Sequence, residues 1–165
     1  MTIVVEDGTS MASSNSYMSL ASASAYFDEI GITTWGGPSS TLEGHLIRAA
    51  RYMETLPWRG LKTTSTQGLE WPRRDVTDQN NYYVSATAVP LRVKQAQAEI
   101  ALRYLSGGNP APDLSQTGNV IREKVDVIEI EYARTGKRDV PEYLYIDFLL
   151  KPYLKSSWNV ELVRA

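Results

Sequence analysis

The sequence predicts a mainly α-helical bundle with a small β-hairpin and a long irregular Trp/Arg-containing loop. Three observations carry this. Apolar residues recur every three or four positions in several stretches, the period changes to two between Val120 and Tyr132, and between Trp58 and Pro90 no period survives. At 165 residues the chain suits one domain with one core, about 70% of its unfolded surface being buried on folding. Residues 1–154 are expected to form that domain and residues 155–165 an extended tail.

The elements follow in order. Ile3-Val4-Val5 is β-prone and is closed by the turn pair Asp7-Gly8, so a short strand is expected. Ser19 is placed to cap a helix carrying Leu20, Ala23, Phe27 and Ile30 on one face, and Gly31 stops it. Trp35-Gly36-Gly37-Pro38 reads as a turn. Ser40-Thr41-Leu42-Glu43 then has the form of a capping box opening a second helix, whose seam of Leu42, Leu46, Ala49, Met53 and Leu56 ends before Pro57. A third helix begins at Pro90, runs through Val93, Ala96, Ile100, Ala101 and Tyr104, and stops at Gly107-Gly108. Residues 120–132 predict a strand, paired with a first arm over residues 118–123. Pro141 opens a last helix with Leu144, Phe148 and Leu149 inward, ended by Pro152.

Charge is unevenly spread. Residues 1–44 hold Glu6, Asp7, Asp28, Glu29 and Glu43 with no Lys or Arg, whereas residues 45–74 hold six cations against Glu54 and Glu70. Neutralisation within one fold is the plainer reading; an acidic surface meeting a basic one on a second copy is the other. The absence of cysteine removes disulfides and thiolate chemistry. The first residues lack a basic region followed by an apolar run, so no secretory signal is expected, and no stretch reaches the ~20 apolar residues of a membrane span.

Chemistry is sparse. The one histidine, His45, has no second His or Cys to help it hold a metal, so no metal site is expected. The nucleophile-elbow, phosphate-loop and dinucleotide-loop patterns are missing. The remaining enzymatic option is a carboxylate pair, Asp75 with Asp78 in the loop or Glu129 with Glu131 on the strand, and alternating acids on a strand usually mark its solvated face. No enzyme and no cofactor are expected. The segment with most character joins Trp58-Arg59-Gly60 to Gln67-Gly68-Leu69-Glu70-Trp71-Pro72-Arg73-Arg74, with Tyr82-Tyr83 behind. Aromatics among arginines suit an interface or a single nucleic-acid strand. Equally, the tryptophans can anchor the loop to the core while the arginines cap carbonyls or pair with Glu54 and Glu70. Trp58, Arg59, Trp71, Arg73, Arg74, Tyr82 and Tyr83 are the candidate contacts with a neighbouring subunit, a partner or a DNA channel. The tail with Trp158, Val160, Leu162 and Val163 can fold back on the core or dock on a partner, and docking is the expectation.

Taken in order, several stretches resemble the head-to-tail adaptor, or head-completion, proteins of tailed bacteriophages. They are Val4-Val5-Glu6-Asp7-Gly8-Thr9, Asn15-Ser16-Tyr17, Ala25-Tyr26-Phe27, Ala49-Ala50-Arg51-Tyr52-Met53, the Trp-Arg-Gly and Gln-Gly-Leu-x-Trp-Pro-Arg pair, Val89-Pro90 with Val93-Lys94, and Asp147-Phe148-Leu149-Leu150-Lys151-Pro152-Tyr153-Leu154. Some relatives carry a DnaT-like single-stranded-DNA-binding name. The resemblance implies a structural virion protein that forms a homo-oligomeric ring of about twelve copies at the neck. Such a ring lies between the portal protein, on which the tail of this chain would dock, and a neck or tail protein such as a stopper or tail terminator. It extends the DNA channel, passes double-stranded DNA without sequence specificity, and has no part in a membrane. The host cytoplasm would hold the chain during assembly. The DnaT-like name supplies the rival function, binding of single-stranded DNA, in which Trp71 and Arg73 would contact the strand.

Overall fold

A computed structural model describes residues 2–109, 122–125, 128–131 and 143–155. Their four helices are α1 (Leu20–Glu29), α2 (Ser39–Met53), α3 (Leu91–Leu105) and α4 (Leu144–Leu150), the last running into a 3-10 turn over Lys151–Tyr153. Two antiparallel ladders accompany them. One is the minimal pair β1 (Leu61–Lys62) and β2 (Arg73–Arg74); the other is the hairpin β3 (Arg122–Val125) and β4 (Ile128–Glu131), in register Arg122 to Glu131 and Val125 to Ile128. The fold is thus mainly helical with a small hairpin, as the periodicities predict.

The longest contact is between α2 and α3. Small residues allow it, since Ala49 and Ala50 on α2 and Ala96, Ala98 and Ala101 on α3 are all buried, together with Leu46, Met53, Val93 and Ile100. Gln97 sits fully buried in this layer and ties three segments together. Its amide nitrogen donates to Leu46 O at 2.9 Å and to Ser16 Oγ at 2.7 Å, while its oxygen accepts from Tyr17 N at 2.9 Å. α1 begins with Ser19 Oγ accepting from Ser22 N at 3.1 Å, and it stops at Gly31, whose φ of 72° continues no right-handed helix. Phe27 reaches the core and meets Trp35 at 4.9 Å between ring centroids.

Several expectations are corrected. α2 starts one residue before the proposed box: Pro38 stands at the cap with no side-chain bond, and its carbonyl accepts from Thr41 N and Leu42 N, which leaves Ser40 inside the first turn. Ile3-Val4-Val5 forms no extended strand, only a bridge from Val5 to Ser16. The reason is local, because Asn15 caps Val4 N through its side chain and a carboxylate takes over the next backbone donors. Residues 120–132 are not one strand against residues 118–123; β3 and β4 are both cut from that stretch. The non-periodic segment contains the β1–β2 ladder. α4 departs in part from expectation: Ile146 and Leu150 are buried and Leu144 and Phe148 stand at 59% and 64% exposure, while Leu149 packs against the core as expected. Pro141 and the tail residues Trp158, Val160, Leu162 and Val163 lie outside the described residues.

The carboxylate that organises the first loop is Glu6, which is fully buried. One oxygen accepts from Gly8 N and Ser10 N, both at 2.9 Å; the other accepts from Met11 N at 2.9 Å and from the Ser14 hydroxyl at 3.1 Å. Four donors thus converge on one side chain, which stands in for the missing strand partner. The loop is locked against the entry to α3 by Gly8, at φ 109°, where a Cβ would lie 2.1 Å from Thr87 O. Glu6→Gln puts an amide among donors and leaves at least one buried N–H facing another donor. It is expected to lower stability by ~2–3 kcal/mol, read as a lower urea midpoint; an unchanged midpoint would contradict this role for Glu6.

Candidate functional site

The segment joining α2 to α3 divides into an inner and an outer part. The inner part holds Trp58, Trp71 and Arg73, at 3%, 0% and 6% exposure. Trp58 donates from Nε1 to Met53 O at 2.8 Å, at the end of α2. Trp71 stands edge-on to Trp58 and to Tyr153, with centroids 5.7 and 5.5 Å apart, and its peptide bond to Pro72 is cis. Arg73 uses its guanidinium as an internal clasp: Nε donates to Arg59 O at 2.7 Å, Nη2 to Gly60 O at 2.8 Å, and Nη1 to Glu70 O at 3.2 Å and to the Glu70 carboxylate. Gln67 closes the same loop, donating to Leu69 O and Pro72 O and accepting from Thr64 N. Gly60 is needed where it is, because at φ 66° a Cβ would sit 2.2 Å from Arg74 O.

The Gln67 amide and the Arg73 guanidinium are thereby spent inside the fold, whereas the indole N–H of Trp71 is buried without a hydrogen-bond partner among the described residues. Trp58, Trp71 and Arg73 are thus buried in this fold and offer no exposed side-chain surface to a nucleic acid or a partner. Beneath them, the Tyr17 hydroxyl donates to Glu54 Oε1 at 2.6 Å, and that oxygen also accepts from Glu70 N at 3.0 Å. Burial pushes the Glu54 carboxyl above its ordinary value of 4.5, with the Tyr17 and Glu70 hydrogen bonds opposing the shift. A raised carboxylate contributes stability below its unfolded value and loses it as pH rises through the folded one. Glu54→Gln keeps an acceptor for both donors and is expected to flatten the fall of the urea midpoint from about pH 4 upward. A slope identical to wild type would contradict it.

The outer part is a cleft of about 570 Å³ on the flank of the first turn of α3. Arg59, Arg92 and Lys151 line it together with Asp78, Gln79 and Phe148. Three distant segments supply these groups. Arg59 is held by its backbone N–H on Tyr153 O at 2.8 Å and by Nη1 on Pro152 O at 3.3 Å, which fixes it to the turn that carries Lys151. Arg92 is oriented by Gln79, whose Oε1 accepts from Nη1 at 2.8 Å. The loop bearing Gln79 is closed by Asp78, whose Oδ1 accepts from Asn80 N at 2.8 Å and Tyr82 N at 3.0 Å, and by Asn81 at φ 65°. It presents Tyr82 and Tyr83 to solvent at 72% and 83% exposure.

Of the sequence candidates, Arg59 lines this cleft and Tyr82 and Tyr83 follow its residues directly in the chain. Arg74, exposed on β2, is not among its lining residues. Arg92, Lys151 and Gln79 are not singled out by the sequence, which marks Asp78 only as one of a pair of loop acids and Phe148 only as an inward residue of the last helix. Arg92 and Lys151 look like ordinary helix-surface cations, and nothing in a sequence marks their approach to Arg59. A second, larger groove of about 730 Å³ between α1 and the start of α3 is lined largely by apolar and small residues, with Glu29 and Lys94 as its opposed charges. Among the described residues no group of three or more His, Cys, Asp or Glu is placed to hold a metal ion.

A family model described as "Putative DnaT-like ssDNA binding protein" matches residues 1–165. No curated protein and no solved structure matches the chain.

Proposed function

The chain belongs to this DnaT-like ssDNA-binding family, and on that premise we propose that it binds single-stranded DNA in the cleft of Arg59, Arg92 and Lys151. The observation that carries the reading is the convergence of these three cations beside exposed aromatics, Phe148 within the cleft and Tyr82-Tyr83 on the adjoining loop. Phosphates would run along the cations, whose charge outweighs that of Asp78. Bases would stack on rings that already stand in solvent, a sequence-tolerant contact worth ~1–3 kcal/mol per base. The overall net charge of −2 makes this a local attraction, confined to one face.

Fluorescence anisotropy with a labelled single strand tests it. Binding is expected at low salt, and Tyr82→Ala with Phe148→Ala is expected to weaken it about tenfold or more while leaving thermal stability within ~0.5 kcal/mol, since both side chains are exposed. Absence of binding at low salt, or binding untouched by the pair, would count against the cleft.

A second reading is the adaptor role implied by the phage resemblance, a ring subunit between portal and neck or tail proteins in the virion. It is supported by the outward row of α4, where Leu144, Tyr145 and Phe148 are all more than half exposed, since exposed apolar rows mark protein interfaces. Native mass spectrometry of the chain mixed with portal protein decides it: a cyclic complex supports the ring, and a monomer indifferent to portal opposes it.

A further inference from the structure

Resting on the single-strand reading, we propose that Asp78 makes the cleft selective for bases that carry an exocyclic amino group, and so for cytosine over thymine. The cations account for phosphate, but a carboxylate on the same wall does not; it would only weaken a site meant for phosphate alone. Among the described residues Asp78 forms no ion pair with Arg59, Arg92 or Lys151, although it lines the same cleft.

Its orientation is set by the loop. Oδ1 is occupied by Asn80 N and Tyr82 N, the Asp78 backbone N–H donates to Tyr82 O at 2.9 Å, and Asn81 N donates to Asp78 O at 3.1 Å. One carboxylate oxygen therefore holds the aromatic loop in shape, and no hydrogen bond or ion pair among the described residues engages Oδ2, so the carboxylate that lines the cleft keeps one acceptor oxygen. A base stacked on Phe148 or the neighbouring tyrosines would turn its edge toward that oxygen. Cytosine offers the N4 amino group, a good donor to a carboxylate, whereas thymine offers O4, an acceptor that a carboxylate repels. Stacking scarcely separates two pyrimidines, so the difference between them isolates the edge contact.

The test compares labelled oligodeoxycytidine and oligodeoxythymidine of about 12 nucleotides by anisotropy at about 50 mM salt and neutral pH, with wild type and Asp78→Asn. The asparagine keeps an oxygen for the loop bonds and removes the charge, and circular dichroism checks that the fold is retained. Wild type is expected to bind the cytosine strand about tenfold more tightly. In Asp78→Asn the ratio is expected to fall toward one, mainly through a gain for thymine. Equal wild-type affinities, or a preference that survives in Asp78→Asn, would overturn the role of Asp78 and leave single-strand binding standing. Failure of wild type to bind either strand would overturn the reading beneath it.

Discussion

Trp71→Ala is expected to destabilise the protein by ~3–5 kcal/mol, enough to leave a domain of ordinary stability marginal. The ring is fully buried between Trp58 and Tyr153, and so joins the end of α2 to the turn after α4. Its removal takes away both edge-to-face contacts and opens a cavity that the flanking backbone cannot fill, because Trp58 is tied to Met53 O and Arg59 N to Tyr153 O. Urea unfolding followed by tryptophan fluorescence and by far-UV circular dichroism reads the loss. A variant within ~1 kcal/mol of wild type would show that the ring is not a structural plug.

Arg73→Met is expected to be nearly as damaging, ~3–5 kcal/mol, although it keeps much of the aliphatic volume. Three carbonyls, of Arg59, Gly60 and Glu70, lose their donor together, and the Glu70 carboxylate loses its nearer cation, keeping Lys62 at 3.1 Å. Buried acceptors left without donors account for most of this loss. Arg73→Lys restores the charge but not the fork that reaches separate carbonyls, so it is expected to recover little. A full recovery by lysine would mean that charge alone matters at this position.

These two residues show why the sequence is ambiguous where it looks most functional. Tryptophans interleaved with arginines are equally the composition of a base-stacking surface and of a loop plugged into a core. What separates the two is the number of carbonyls turned toward Arg73, a property of backbone path that no spacing encodes. The helices were legible for the opposite reason. Ser19, Gly31, Pro90 and Gly107 punctuate them through local backbone chemistry, and the seam of Leu42, Leu46, Ala49 and Met53 has a single inward solution. α4 has two: Leu144 and Phe148 are four apart, and so are Ile146 and Leu150. In a helix of seven residues periodicity cannot choose between them. The choice matters, because it turns Phe148 outward into the cleft with Arg92 and Lys151.

Glu6 was legible only as part of a charge asymmetry. A buried carboxylate satisfied by loop N–H groups leaves no periodic trace, and its role emerges only once Gly8, Ser10, Met11 and Ser14 are seen to face it. The acidic start of the chain is thus partly internal, which reduces the charge it presents to a second copy.

The most direct test is the salt dependence of single-strand binding, measured in wild type and in Arg92→Ala combined with Lys151→Ala. Three cations on the strand predict a log–log slope of about −2 for wild type. With Arg59 alone remaining, the pair should make it shallower, about −0.7, with the thermal midpoint unchanged. A wild type that ignores single-stranded DNA at low salt, or a pair whose slope equals that of wild type, would contradict the assignment of DNA binding to this cleft.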